Sequence, residues 1–268
     1  MNRIDEVFAS LKERGETALI PFITVGDPDL ETSLDIIQQL AEAGASMIEL
    51  GVPYSDPLAD GPVIQRASER ALAHQVRITD VIRIAKQARE RGIEIPFILF
   101  SYYNPVLQLG LERFMKLLVE HDISGMIIPD LPFEEDGEVK RLAEEHGLHL
   151  IPLVAPTSEH RVQKIVSRAS GFVYCVSSLG VTGERSQFAD SVDTFIRTVR
   201  EASRVPVCVG FGISNRAQVE KFAALCDGVI VGSAIVRKIE ETLPLLSKSE
   251  TKEQGLLQIR QFVAQLKG

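Results

Sequence analysis

Cysteine is scarce in this 268-residue chain: Cys175, Cys208 and Cys226 form an odd, widely spaced set. That pattern excludes a disulfide framework and a thiolate metal site, and it fits a reducing compartment, so the cytoplasm is expected. Apolar runs of the roughly 20 residues needed to cross a membrane are missing, so no membrane association is expected. The opening Met1-Asn2-Arg3-Ile4-Asp5-Glu6 lacks the apolar core of a secretory signal, and the mature chain is expected to begin near Met1. Positive charge is also short. With 29 Lys and Arg against 37 Asp and Glu the net charge is -8, which disfavours nucleic acid or an anionic membrane as partner. Low-complexity stretches and linkers are absent. The 45% hydrophobic and 25% charged content is that of an ordinary globular protein, and 1–268 reads as a single domain.

What the chain does have is an alternation. Short Ile- and Val-rich runs at 18–24, 47–51, 95–100, 125–128, 148–154, 172–176, 205–210 and 228–232 read as eight strands. Between them, 33–43, 78–91, 111–120, 134–146, 159–169, 192–202 and 217–225 have helical apolar spacing. The runs are apolar on both faces, as parallel strands covered by helices outside and packed into a barrel inside must be. Eight strand–helix units in this length predict a (β/α)8 TIM barrel, with an extra N-terminal helix over 3–14 closing the bottom and an extra C-terminal helix over 256–266. A polar stretch over 247–253 is expected to separate that last helix from the rest.

Barrel active sites are built from the loops that follow strand C-termini. The run 47–51 carries Glu49, a carboxylate on a strand covered on both faces. Loss of water raises a carboxyl pKa toward neutrality, which suits a group that must give and take a proton near pH 7. Glu49 is therefore the first catalytic candidate; a structural Glu paired with a remote Lys or Arg is the alternative. The following loop adds Asp56 and Asp60, stiffened by Pro53, Pro57 and Pro62, each Asp being either a functional acid or a turn residue.

At the last three strand ends lie Gly180-Val181-Thr182-Gly183, Gly210-Phe211-Gly212-Ile213-Ser214 and Gly232-Ser233, the last opening a helix from Ala234. Glycine lets backbone amides approach an anion, and a helix N-terminus adds a positive dipole, so the three together predict a phosphate site. The polar segment 180–188 is expected to close over substrate. His74, His121, His146, His149 and His160 are expected in or just after helices rather than at strand ends, and no metal site is predicted. The loop of Tyr102, Tyr103, Asn104 and Pro105 and the turn Pro129-Asp130-Leu131-Pro132 share the mouth with Glu49, as pocket lining or as a docking rim. Phe22, Phe100, Ile127, Tyr174 and Phe211, at or near strand C-termini, offer apolar walls for an aromatic substrate.

The run from Ile48 to Gly61, taken with the three glycine motifs and Gly232-Ser233-Ala234-Ile235-Val236, resembles the tryptophan synthase alpha chain family over nearly the whole chain. The resemblance implies retro-aldol cleavage of indole-3-glycerol phosphate to indole and glyceraldehyde 3-phosphate. It makes Glu49 the acid-base group and Asp60 the anion beside the indole nitrogen. Phe22, Phe100, Ile127 and Phe211 match indole-pocket positions, Tyr174 a pocket tyrosine, and Gly183, Gly212, Gly232 and Ser233 phosphate-binding positions, with Thr182 in the closing loop. It further implies no cofactor in this chain and a pyridoxal-phosphate-dependent beta chain as partner in an α2β2 heterotetramer, contacted through Pro53, Asp56, Pro57 and Asn104. Tyr54 stands where Phe is more usual. Two readings compete: a sugar-phosphate isomerase or epimerase, disfavoured by the lack of histidine at strand ends, and a non-catalytic barrel that only activates a beta chain.

Overall fold

The computed structural model describes residues 1–156, 159–176, 185–210 and 212–268, with backbone only for 159 and 185–191. Its strands are β1 (Ala18–Thr24), β2 (Ile48–Gly51), β3 (Phe97–Phe100), β4 (Gly125–Ile127), β5 (His149–Leu150), β6 (Leu153–Val154), β7 (Val173–Val176), β8 (Val207–Gly210) and β9 (Gly228–Val231). All pair in parallel, in the order β5-β4-β3-β2-β1-β9-β8-β7-β6. The two ends of that order are halves of one expected strand. Residues 148–154 do not form a single run: β5 pairs with β4, β6 pairs with β7, and the chain between them bonds to both neighbours, Ile151 N–H to Met126 O and Tyr174 N–H to Pro152 O. Pro152 has no N–H to continue a ladder, so the strand breaks there while the segment still closes the (β/α)8 barrel.

Alternation sorts the strand residues into two cores. Leu19, Ile23, Ile48, Leu50, Leu99, Val209 and Val229 point outward under the helices, in one continuous cluster. Ala18, Ile20, Met47, Ile98, Phe172, Cys208 and Ile230 point into the barrel. Helix Arg3–Arg14 plugs the bottom of that interior with Ile4, Phe8 and Leu11, spaced at i, i+4 and i+7. Burial of each contributes about 2 kcal/mol. Asn2 caps the helix at one end, and Gly15, at φ +66°, ends it.

Two helices escape the sequence pattern. Pro62–Ala73 fully buries only Ala67, Ser68 and Ala71, with Val63 and Ile64 packed partly buried on the same side, so no large side chain marks its face; Pro at its first position marks the start. Tyr103–Leu109 replaces the expected loop beyond Tyr102, a seven-residue turn of helix that buries Val106 alone. The expected polar break over 247–253 shrinks to 247–248, since Ser249–Lys267 is helical throughout. Its polar first turns are good helix formers, tied down by Lys252 to Asp35 at 2.7 Å. His149 likewise departs from expectation, lying in β5 and meeting Asp5 at 3.0 Å. Among the described residues no helix is long and apolar enough to cross a membrane, and no three His, Cys, Asp or Glu side chains are grouped to hold a metal.

Candidate active site

A cavity of about 500 Å³ opens at the C-terminal mouth of the barrel. Its walls include Phe22 from β1, Glu49 from β2, Asp60 and Gly61 from the following loop, Phe100 from β3, Tyr174 from β7, and Gly212, Gly232 and Ser233 from the last two loops. Sequence positions as far apart as 22 and 233 meet because the fold places every strand end on one rim.

Glu49 is the electrostatic anomaly. It lies across from Phe22 and Ile98 in the ladder, on the inward face, and is 1% exposed. Oε1 has no hydrogen-bond partner among the described residues. Desolvation alone raises the carboxyl to about 8. The alternative of a buried ion pair therefore has no cation among the described residues to support it, and at neutral pH the side chain holds a proton it can release into the cavity.

Asp60, on the loop after β2, lines the same cavity and is half-buried. Burial raises its pKa, and a hydrogen bond from Tyr102 opposes that rise. Gln65 Nε2 donates to the Asp60 carbonyl at 2.8 Å, pinning the loop to the start of helix Pro62–Ala73. The two acids thus sit in different environments, one dry and unpaired, the other hydrogen-bonded.

Two aromatic rings line the cavity with them. Phe22 and Phe100 meet edge to face at 5.4 Å, and the close approach depends on Gly51, where a Cβ would fall 2.5 Å from Phe22 Cζ. Tyr174 is half-buried, and desolvation holds its phenol well above its usual pKa, hence neutral. Gly232 and Ser233, the N-terminus of helix Ser233–Leu246, also wall the cavity, and with no side-chain cap there the first amides of the helix are available to an anion. Gly212, at φ +64°, takes the left-handed backbone that turns its loop toward the same place. The cavity walls contain no Lys or Arg among the described residues, so an anion here is met by amides and the Ser233 hydroxyl.

Of the residues singled out from sequence, Thr182, Gly183 and Phe211 lie outside the described residues, as does most of the expected closing segment. Ile127 is fully buried in the barrel interior, in register with the cavity-wall residue Phe100, and Phe100, Leu153 and Tyr174 pack on its cluster. Pro53, expected on the docking rim, is buried within the chain, whereas Asp56 and Asn104 are exposed and Pro57 is half-buried. Pro129, from the turn expected to share the mouth, also lines the cavity; Ala59, Ile64, Leu153, Ala155, Val176, Ile213 and Ile230 line it too and were not singled out. They are small or aliphatic, and nothing in their spacing distinguishes them from core. Leu58 and Leu107, 90% and 51% exposed on the same rim, were also missed; a lone Leu in a loop of acids and prolines was the available signal.

The model of the family described as "Tryptophan synthase alpha chain" matches residues 8–267. The tryptophan synthase alpha chain of Bacillus licheniformis is 55% identical over 250 residues, 93% of this chain and 94% of that one. That of Bacillus subtilis strain 168 is 53% identical over 253 residues, 94% and 95% of the two chains. Among solved structures, tryptophan synthase subunit alpha of Legionella pneumophila superposes with a TM-score of 0.88 at 37% identity, over all of this chain and 97% of the other. A chain of ligand-free tryptophan synthase from M. tuberculosis gives 0.86 at 34% identity, over 99% and 98%. By sequence along nearly its whole length and by fold, the chain belongs to the tryptophan synthase alpha chain family.

Proposed function

We propose that this chain, as one barrel domain spanning residues 1–268, cleaves indole-3-glycerol phosphate to indole and glyceraldehyde 3-phosphate, with Glu49 and Asp60 as its catalytic pair. The phosphate is held by the amides at Gly212, Gly232 and Ser233, and the indole ring by Phe22, Phe100 and the aliphatic wall. Glu49, protonated at neutral pH, gives its proton to indole C3. The positive charge that then develops toward the ring nitrogen is stabilised by the Asp60 carboxylate. Glu49, now an anion, takes the proton of the glycerol hydroxyl beside the ring; the carbon–carbon bond breaks, its electrons restore the indole, and the aldehyde leaves. Protons balance, and Glu49 ends as it began. The observation that carries this reading is a buried, unpaired carboxyl in a cavity also walled by an uncapped helix N-terminus.

The partner is a beta chain that carries pyridoxal phosphate and receives the indole, in an α2β2 assembly. Asp56, Pro57 and Asn104, with the exposed Leu58 and Leu107, form an apolar-centred rim suited to that contact. A cytoplasmic location accords with this biosynthetic role. Release of glyceraldehyde 3-phosphate from indole-3-glycerol phosphate, measured for wild type and Glu49→Gln with and without a beta chain, tests the proposal. The expected result is a wild-type rate that rises with beta chain and a mutant rate lower by at least a thousandfold. Activity undiminished in Glu49→Gln would overturn the assignment.

A further inference from the structure

Tyr102 immediately follows β3 and is only 2% exposed, yet it reaches across to the loop after β2. Its phenol oxygen accepts the Ala59 N–H at 2.9 Å. An amide N–H can only donate, so that bond leaves the phenol's own proton free for a second partner. Asp60 follows Ala59 directly in that loop, so its carboxylate is carried close enough to the phenol for the two to interact. The ring cannot swing away, because Tyr54 stacks on it at 4.9 Å with the planes 24° apart. The next residue is fixed as well: Tyr103 N–H donates to Asp130 Oδ1 at 2.8 Å, so the loops after β2, β3 and β4 are joined through adjacent residues.

We propose that Tyr102 is a positioning residue for the lyase reaction, its phenol bridging the Ala59 amide and the Asp60 carboxylate so that Asp60 is aimed at the indole nitrogen. The inference rests on the reading of Asp60 given above. Burial and the neighbouring Asp60 and Asp130 carboxylates push the phenol pKa up, so the group stays a neutral donor throughout the working range. The geometry also accounts for the neighbouring rim. Asn104, exposed and expected at the beta-chain contact, approaches the Tyr54 hydroxyl at 3.5 Å, and Tyr54 is the ring that holds Tyr102 in place. A contact made on the rim is thus two side chains away from the acid that stabilises the transition state.

The charge on the ring nitrogen exists only after C3 is protonated, so loss of aim at Asp60 falls on kcat and leaves substrate binding alone. Tyr102→Phe keeps the stacked ring and removes both hydrogen bonds. Assayed in the full chain with a beta chain present, it is expected to lower kcat about tenfold to a hundredfold, the range for one hydrogen bond to a charged group, with KM within twofold. Its urea midpoint is expected to match wild type. A kcat reduced less than fivefold overturns the proposal, as does a reduction matched by a comparable rise in KM or by a lowered urea midpoint, which mark a merely structural role. Asp60→Asn, measured alongside, separates the two claims. Wild-type activity in Asp60→Asn removes the reading of Asp60 itself, whereas an inactive Asp60→Asn beside a fully active Tyr102→Phe removes only the role of Tyr102.

Discussion

Replacing Glu49 by Gln should make the protein more stable, by an amount that depends on pH. In the unfolded chain the Glu49 carboxyl titrates near 4.5; in the fold, burial without a partner moves it to about 8. Between those values the native state holds one proton more than the unfolded state. Stability therefore falls by about 1.4 kcal/mol for each unit of rising pH in that window, and is constant below 4.5 and above 8 as far as this group is concerned. The contribution is fully present below pH 4.5. By pH 7 about 3 kcal/mol of it has been lost, and above pH 8 about 5 kcal/mol. Gln has nearly the same shape and does not titrate. Urea unfolding of wild type and Glu49→Gln, followed by circular dichroism at pH 5, 7 and 8.5, should show the mutant gaining on wild type at each step. Parallel pH dependence in the two proteins would refute the reasoning, since it would mean that the carboxyl is solvated or paired in the native state. A gain in stability on loss of the catalytic acid is what a functional group held against its own solvation requires.

The same carboxyl limits the reaction at high pH: kcat for indole release should fall about tenfold per unit above pH 8, as Glu49 loses the proton it must give. A flat alkaline limb in a stopped-time assay would count against Glu49 as the donor. Gly51→Ala places a methyl 2.5 Å from the Phe22 ring and 2.8 Å from the Ile23 carbonyl, and should cost about 1–3 kcal/mol in urea unfolding while raising KM several-fold through the displaced ring. Ser233→Asp puts a carboxylate at the first turn of helix Ser233–Leu246, which favours the helix and repels a phosphate. Its KM for indole-3-glycerol phosphate should rise at least tenfold with an unchanged or higher urea midpoint, and an unchanged KM would place the phosphate elsewhere.

Much of this molecule was legible in one dimension. The alternation of short apolar runs with helical spacing determines a parallel sheet covered on both faces, and eight such units in this length point to its closure as a barrel. Glu49 stood out because a carboxylate has no place in such a run, and the glycines at the last strand ends because backbone approach to an anion needs them. Helix Pro62–Ala73 was hidden since it buries alanine and serine rather than large side chains, and the break at Pro152 since periodicity does not register where ladder partners change. What the tertiary structure alone decided is which groups have partners. That Glu49 finds no cation among the described residues, that Pro53 turns inward, and that Tyr102 reaches from one strand-end loop to the Ala59 amide beside Asp60 on another are matters of three-dimensional neighbourhood. A sequence lists the charges and donors in a chain, but a pKa or a hydrogen bond depends on distances between residues that only folding brings together.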